Sequence, residues 1–327
     1  AGLSTVSDDF LKTEILLELA ELWDVSEPEP EKAERAYQQL VRFERDNPEI
    51  VLKASRALER LHRGAEDYGS LAKDLRRQIQ YEEDEGRRDE LLSTLAELLE
   101  HTLHEPDSAI DVHRERLERD PTDADALCAL ERLYQQRGRW EPLIEVLERR
   151  MELEDVDDVQ LDLSQRIASI YEEKLGKIEK AVLVYRDIIS RFGVDPGAVA
   201  ALTRLYRDGE RWHELLDITE MRADVAETPE ERIEHAFAAA ELMRTRTGDV
   251  ERAFEAYVDI LSSMPGHEPS LGALELIASE GEPHLRTAAA NMLLAQYQAQ
   301  ARYTDQIRML EVIASADDPA ERVAALL

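Results

Sequence analysis

The sequence predicts an all-α chain built as a solenoid of about nine stacked antiparallel helix hairpins, and three observations lead there. Gly (13) and Pro (12) are few among 327 residues, and they cluster between stretches rich in Ala, Leu, Glu and Arg, which are strong helix formers. Strand signals are nearly absent, since no alternating run of Val, Ile and Thr is bounded by a hairpin turn. The chain also resembles itself at a fixed interval.

That interval is 72 residues. Ala57-Leu58-Glu59-Arg60-Leu61 returns 72 residues later as Ala129-Leu130-Glu131-Arg132-Leu133, and 144 residues later as Ala201-Leu202-Thr203-Arg204-Leu205. The following aromatic keeps step as Tyr68, Trp140 and Trp212. A second block starts at Ala33 and Tyr37, and it answers to Ala109 and His113, Ala181 and Tyr185, then Ala253 and Tyr257. Its offsets are 76, 72 and 72, the first lengthened by an acidic, proline-containing insert at 26–30.

Each period holds two hairpins. Ala109 to Leu143 is 34 residues and Leu143 to Ala181 is 38. Pro48, Pro121, Pro196 and Pro265 fall where a helix stops or restarts, and Asp123 and Asp195 fall where N-caps are needed. A small residue recurs on the first helix of alternate hairpins as Ala20, Ala96, Ala168 and Ala240, and Glu59, Glu131 and Thr203 stand in between. Tyr68, Trp140 and Trp212 are expected in the core, plugging the gap between hairpins, with about 3–5 kcal/mol lost locally if Trp140 is truncated.

Residues 124–155 resemble a tetratricopeptide repeat: Leu127, Leu130 and Tyr134 in the first helix, Gly138 and Trp140 at the turn, Leu143 and Leu147 in the second. Residues 240–265 add Gly248, Ala253, Tyr257 and Pro265 of the same signature. The alternating spacing is similar to that of long bacterial arrays of this repeat. The resemblance implies a right-handed superhelix whose first helices line a concave groove where ligands bind.

The register slips once. Leu202, Tyr206 and Trp212 reappear as Leu293, Tyr297 and Tyr303, 91 residues on and 19 beyond the period. The expected organisation is therefore seven hairpins in 1–268, an extra helix in 269–282 that bends the stack, and a further hairpin with the start of another repeat in 283–327. The closing stretch from Asp318-Pro319 reads as a helix start, so the array is expected to continue; a terminal cap is the alternative.

The column just past the small residue reads Glu21, Arg60, Glu97, Arg132, Ser169, Arg204 and Glu241. Acid and base alternate, which suits an inter-repeat ladder of exposed pairs, each contributing about 0–1 kcal/mol. It equally suits a charged recognition surface. Lys53, Arg56, Arg60 and Arg63 lie three or four residues apart on one helical stripe, and Arg204 with Arg207 continues it. Guanidinium forks match carboxylates, so an acidic segment of a partner is an expected guest. In the carboxylate-clamp members that this resembles, an Asn stands where this chain has Arg60 and Arg132.

The formal charge of −32 argues against nucleic-acid and anionic-membrane partners, and it biases encounters toward basic or mixed-charge proteins. No apolar run reaches the length of a membrane span, and no signal-peptide pattern opens the sequence, so the expected compartment is cytoplasmic. Only seven of the 40 basic residues are Lys, a bias that reads as a GC-rich genome. Cys128, the single cysteine, is expected as a buried small hydrophobe on a first helix. His101, His104 and His113 gather near Asp107, but they read as a surface turn rather than a metal centre. No Walker loop, dinucleotide fingerprint, nucleophile elbow or HExxH occurs. The expectation is a non-enzymatic scaffold for a partner protein or peptide, without cofactor or metal; a spacer within a longer array is the alternative.

Overall fold

The computed structural model describes residues 9–315 apart from 27 and 44–46. The expected closing helix near Asp318 lies outside the described residues. Among them are seventeen α-helices and no strand. Two compact units divide the chain, Ala1–Leu163 and Ser164–Leu327.

The first unit runs through α1 (Asp9–Glu21), α2 (Pro30–Phe43), α3 (Pro48–Gly64), α4 (Tyr68–Tyr81), α5 (Glu85–Glu97), α6 (Pro106–Arg119), α7 (Ala124–Arg137) and α8 (Trp140–Leu153). The unit boundary falls within α9 (Asp157–Ser169). The second continues through α10 (Ile178–Phe192), α11 (Pro196–Asp208), α12 (Trp212–Asp224), α13 (Pro229–Leu242), α14 (Val250–Ser263), α15 (Glu268–Glu280), α16 (Pro283–Ala299) and α17 (Tyr303–Ala314). In each unit helices pack chiefly on their sequence neighbours, the local-contact pattern of an α-solenoid.

Capping follows from the residues. Asn47, Asp67, Asp84, Asp123 and Asp195 each accept a hydrogen bond from a backbone N–H of the first turn they precede. Pro48 and Pro196 open their helices, where a missing N–H costs nothing. Pro121 and Pro265 lie between helices.

Two turn designs join the helices. After α1, α5, α9 and α13 the chain widens into a π-helical turn, at Leu22–Ser26, Leu98–Thr102, Ile170–Lys174 and Met243–Thr247. Each of these closes through a backbone bond six residues back: Glu29 to Trp23, Glu105 to Leu99, Lys177 to Tyr171 and Asp249 to Met243. After α3, α7, α11 and α16 the turn is tighter, and a residue with left-handed φ lets the chain double back: Glu66 (57°), Gly138 (63°), Glu210 (53°) and Ala301 (56°). These close five residues back, Asp67 to His62, Arg139 to Tyr134, Arg211 to Tyr206 and Arg302 to Tyr297.

The core is carried by small residues that let helices approach. Ala20, Ala96, Ala168 and Ala240 have 0% exposure, and so do Ala33, Ala109, Ala181 and Ala253. Tyr37, Tyr134, Tyr185, Tyr206, Tyr257 and Tyr297 are the buried aromatics. Tyr68, Trp140 and Trp212 are not core plugs. Each opens the second helix of its hairpin and is half-buried. Trp140 sits against Gly138 of its own turn, and Trp212 carries the guanidinium of Arg246, from the π-helical turn after α13, 4.6 Å from its ring centre. Tyr303, which opens α17, is 72% exposed.

Candidate functional site

The charged face of the first helices is organised around carboxylates in the π-helical turns. Asp24, Glu100 and Glu172 each stand third in their turn, where the wider coil lets the side chain reach the next first helix. There Asp24 takes Arg60, Glu100 takes Arg132, and Glu172 takes Arg204. These acid side chains are only 6–10% exposed, whereas the arginines are about half exposed.

A tyrosine completes the arrangement. The Tyr37 hydroxyl donates to Asp24 at 3.2 Å, and the Tyr185 hydroxyl donates to Glu172 at 3.3 Å. Burial, then the neighbouring acid, pushes each phenol up to about 12. On α13 the partners shift: Glu241 accepts from Tyr257 at 2.5 Å and from Arg244 at 2.7 Å. Burial raises Tyr257, whereas hydrogen bonds from Arg244 and Tyr257 outweigh burial and lower Glu241. At the corresponding place on α6 stands His113. It is buried, its Nδ1 has no hydrogen-bond partner among the described residues, and burial followed by the Arg116 charge pulls it down to about 4.

Lys53, Arg56 and Arg60 of the basic stripe line a cavity of about 920 Å³ with Glu21, Asp24 and Tyr37, and Arg63 lies outside it. All four cations of the stripe are paired. Lys53 meets Glu21 at 2.6 Å, Arg56 meets Glu82 at 2.8 Å, Arg60 meets Asp24, and Arg63 meets Glu59 at 2.9 Å. Glu97 is exposed and makes no ion pair among the described residues. Arg207 is exposed on α11 and lines a second groove, of about 450 Å³, with Arg204 and the first turns of α13.

Three sequence expectations need correction. Cys128 is exposed, because Leu127 and Leu130 take the inward face of α7 and leave their neighbour outside. His113 is a core residue of α6 rather than part of a surface turn. Trp140 and its counterparts are half-buried, as above. Among the described residues a cation-sized cluster occurs elsewhere: Glu251, Glu282 and His284 offer ligand atoms within 4.8 Å of one another, all on exposed side chains.

Sequence reasoning missed the buried pair on α3 and α4. His62 Nδ1 lies 2.5 Å from Asp74, and its Nε2 is 3.3 Å from Glu34 on α2. Arg77 donates to the other Asp74 oxygen at 2.9 Å. Burial would lower His62, but its hydrogen bond to Asp74 and the neighbouring charges of Asp74 and Glu34 reverse that and hold it above its ordinary value. No helix among the described residues is long and apolar enough to cross a membrane.

Residues 126–158 match the tetratricopeptide repeat family model. No curated protein matches the chain in sequence. Among solved structures it is similar to the C-terminal part of a tetratricopeptide repeat-containing protein from Cytophaga hutchinsonii, at 13% identity and TM-score 0.30, over 80% of this chain and 99% of that one. It is also similar to the human IFIT1 dimer with m7Gppp-AAAA, at 14% identity and TM-score 0.33, over 95% and 72%. A third is Naa15/Naa10 bound to HypK, at 12% identity and TM-score 0.33, over 96% and 57%. The matched span covers α7, α8 and the start of α9, so this hairpin and its continuation are shown as a tetratricopeptide repeat.

Proposed function

We propose that the chain is a non-enzymatic cytoplasmic scaffold that binds a partner protein or extended peptide in the concave groove lined by its first helices. The carrying observation is the repeat matched at 126–158, since this fold serves protein interaction in general. The open grooves along α3 and α11, each with charged walls, support the reading. A preformed surface of this kind binds with little ordering cost. The partner carries an acidic segment, in keeping with Arg204 and Arg207, and nucleic acid is disfavoured by the charge of −32.

The organisation proposed with it is seven hairpins in 1–268, an interrupting helix in 269–282 and a further hairpin from 283, built on a 72-residue double unit. Two observations support it. The wide and tight turns alternate up to α14, and α15 stands between a wide turn and a tight one. Tyr206, Arg211 and Glu179 also have counterparts in Tyr297, Arg302 and Glu268: in both sets the guanidinium stacks on the tyrosine and pairs back to the acid.

A spacer role within a longer array is the second reading, and the complete internal pairing of Lys53, Arg56, Arg60 and Arg63 favours it. Affinity purification with the whole chain and with truncations at 163 and 268, followed by mass spectrometry, separates the two. A scaffold retains a specific partner that maps to one segment; a spacer retains none.

A further inference from the structure

The groove between α11 and α13 differs from the one along α3 in how its charge is balanced. Its exposed wall is aliphatic, formed by Ala200 on α11, Val194 just before that helix and Val225 beyond α12, while Val199 is buried. Val225 is 49% exposed and nearby Val194 is 37% exposed, so the wall lacks a covering partner within the described chain. Arg204 at the edge is already matched by Glu172. Arg207 and Arg222 line the same groove, and their side chains make no ion pair or hydrogen bond among the described residues. Glu231 is the one carboxylate in the lining, and His235 faces it from the next turn of α13.

Two unmatched guanidinium groups beside an aliphatic wall suit a ligand that brings both characters. The wall excludes water and strengthens an ion pair formed against it. Guanidinium is also weakly hydrated and takes carboxylates in a two-pronged fashion. Val199 to Arg207 is about 12 Å along the helix axis. That is the length of about three to four extended residues. Charge complementarity therefore sets the occupant.

We propose that this groove docks an internal acidic–aliphatic segment of a partner protein, its aliphatic side chain on Val194, Ala200 and Val225 and its flanking carboxylates on Arg207 and Arg222. The proposal rests on the groove-binding reading above and locates it in the second unit. It also places the recognition arginines away from the first-unit stripe, where every cation already has a carboxylate.

The test uses the full chain and a fluorescein-labelled peptide with both ends blocked, bearing Glu-Leu-Glu between glycines. Anisotropy titration should show saturable binding that weakens with salt. Arg207→Glu and Arg222→Glu should each reduce affinity about tenfold or more. Arg114→Glu, on α6 of the first unit and outside both grooves, should leave it unchanged. A Gln-Leu-Gln peptide and a Glu-Ser-Glu peptide should both bind worse, and the ring resonances of His235 should move only with the parent. Helical circular dichroism shows whether each variant is folded; Arg207→Gln and Arg222→Gln give the milder substitutions. The proposal fails if the parent does not bind at millimolar concentration, if Arg207→Glu and Arg222→Glu bind as well as wild type, or if only a peptide with a free C-terminal carboxylate binds. Pull-down of an identified partner by wild type and by the doubly reversed variant alike would keep the scaffold reading and remove this groove from it.

Discussion

Arg204 donates to Glu172 at 2.5 Å, and the carboxylate that receives it is only 10% exposed. The same carboxylate holds the Tyr185 hydroxyl. The pair ties α11 to the π-helical turn after α9, so one acid sets the spacing of two successive first helices. Glu172→Ala should destabilise the second unit by about 1 kcal/mol, the half-exposed arginine discounting the full value of a charged hydrogen bond. Urea unfolding followed by circular dichroism measures it; Arg204→Ala should cost less, because it leaves Tyr185 bonded.

The two buried histidines of the first unit should titrate in opposite senses. His113 is held down at about 4, so the unfolded chain binds the proton more readily than the folded one. Its contribution is complete above about pH 6.5 and fades as pH falls toward 4, up to about 3 kcal/mol. His113→Leu should flatten that acid limb in a urea-midpoint profile, and an unchanged limb would contradict the assignment.

His62 is held above its ordinary value by Asp74 and Glu34. Its contribution is complete below about pH 6.5 and is lost as pH rises through the folded-state value. Asp74 is itself raised by burial, which His62 and Arg77 only partly offset. We assign the charged form to the imidazole, since two acids face it. His62→Gln should remove the loss of stability that sets in as pH rises above about 6.5, read from the same profiles.

The tight turns offer a backbone test. Glu210 holds φ of 53°, a conformation that Gly138 supplies without a Cβ in the matching turn. Glu210→Gly should stabilise the second unit by about 0.5–1 kcal/mol, relief of strain exceeding the added freedom of the unfolded chain. Gly138→Ala should cost the first unit about 1 kcal/mol. Both are read from urea midpoints.

Trp212 packs on the Arg246 guanidinium and is half-buried. Trp212→Ala should therefore cost about 2 kcal/mol, less than a fully buried tryptophan. Tyr257→Ala, at 0% exposure, should cost about 3–5 kcal/mol in the same unfolding measurement.

Much of the fold was legible from residue spacing. Ala20, Ala96, Ala168 and Ala240 announced the close helix contacts that bury them completely, since only a small side chain admits a neighbouring backbone there. Asp123 and Asp195 announced helix starts, because a carboxylate one residue ahead of a helix satisfies its free N–H groups. The acids that face Arg60, Arg132 and Arg204 were also present as a pattern, 36, 32 and 32 residues upstream. What the spacing lacked was the widened turn that aims them.

The sequence by itself determined helix content, helix boundaries and the repeating core, because these depend on local propensity and on apolar period. Only the tertiary structure decided which charges are spent on holding helices together. An arginine on a stripe looks the same in sequence whether it faces solvent or a carboxylate from the previous hairpin, and a few ångströms separate those outcomes. That is why Arg60 and Arg207, alike on paper, differ in the fold: the first is matched by Asp24, and the second meets no acid among the described residues.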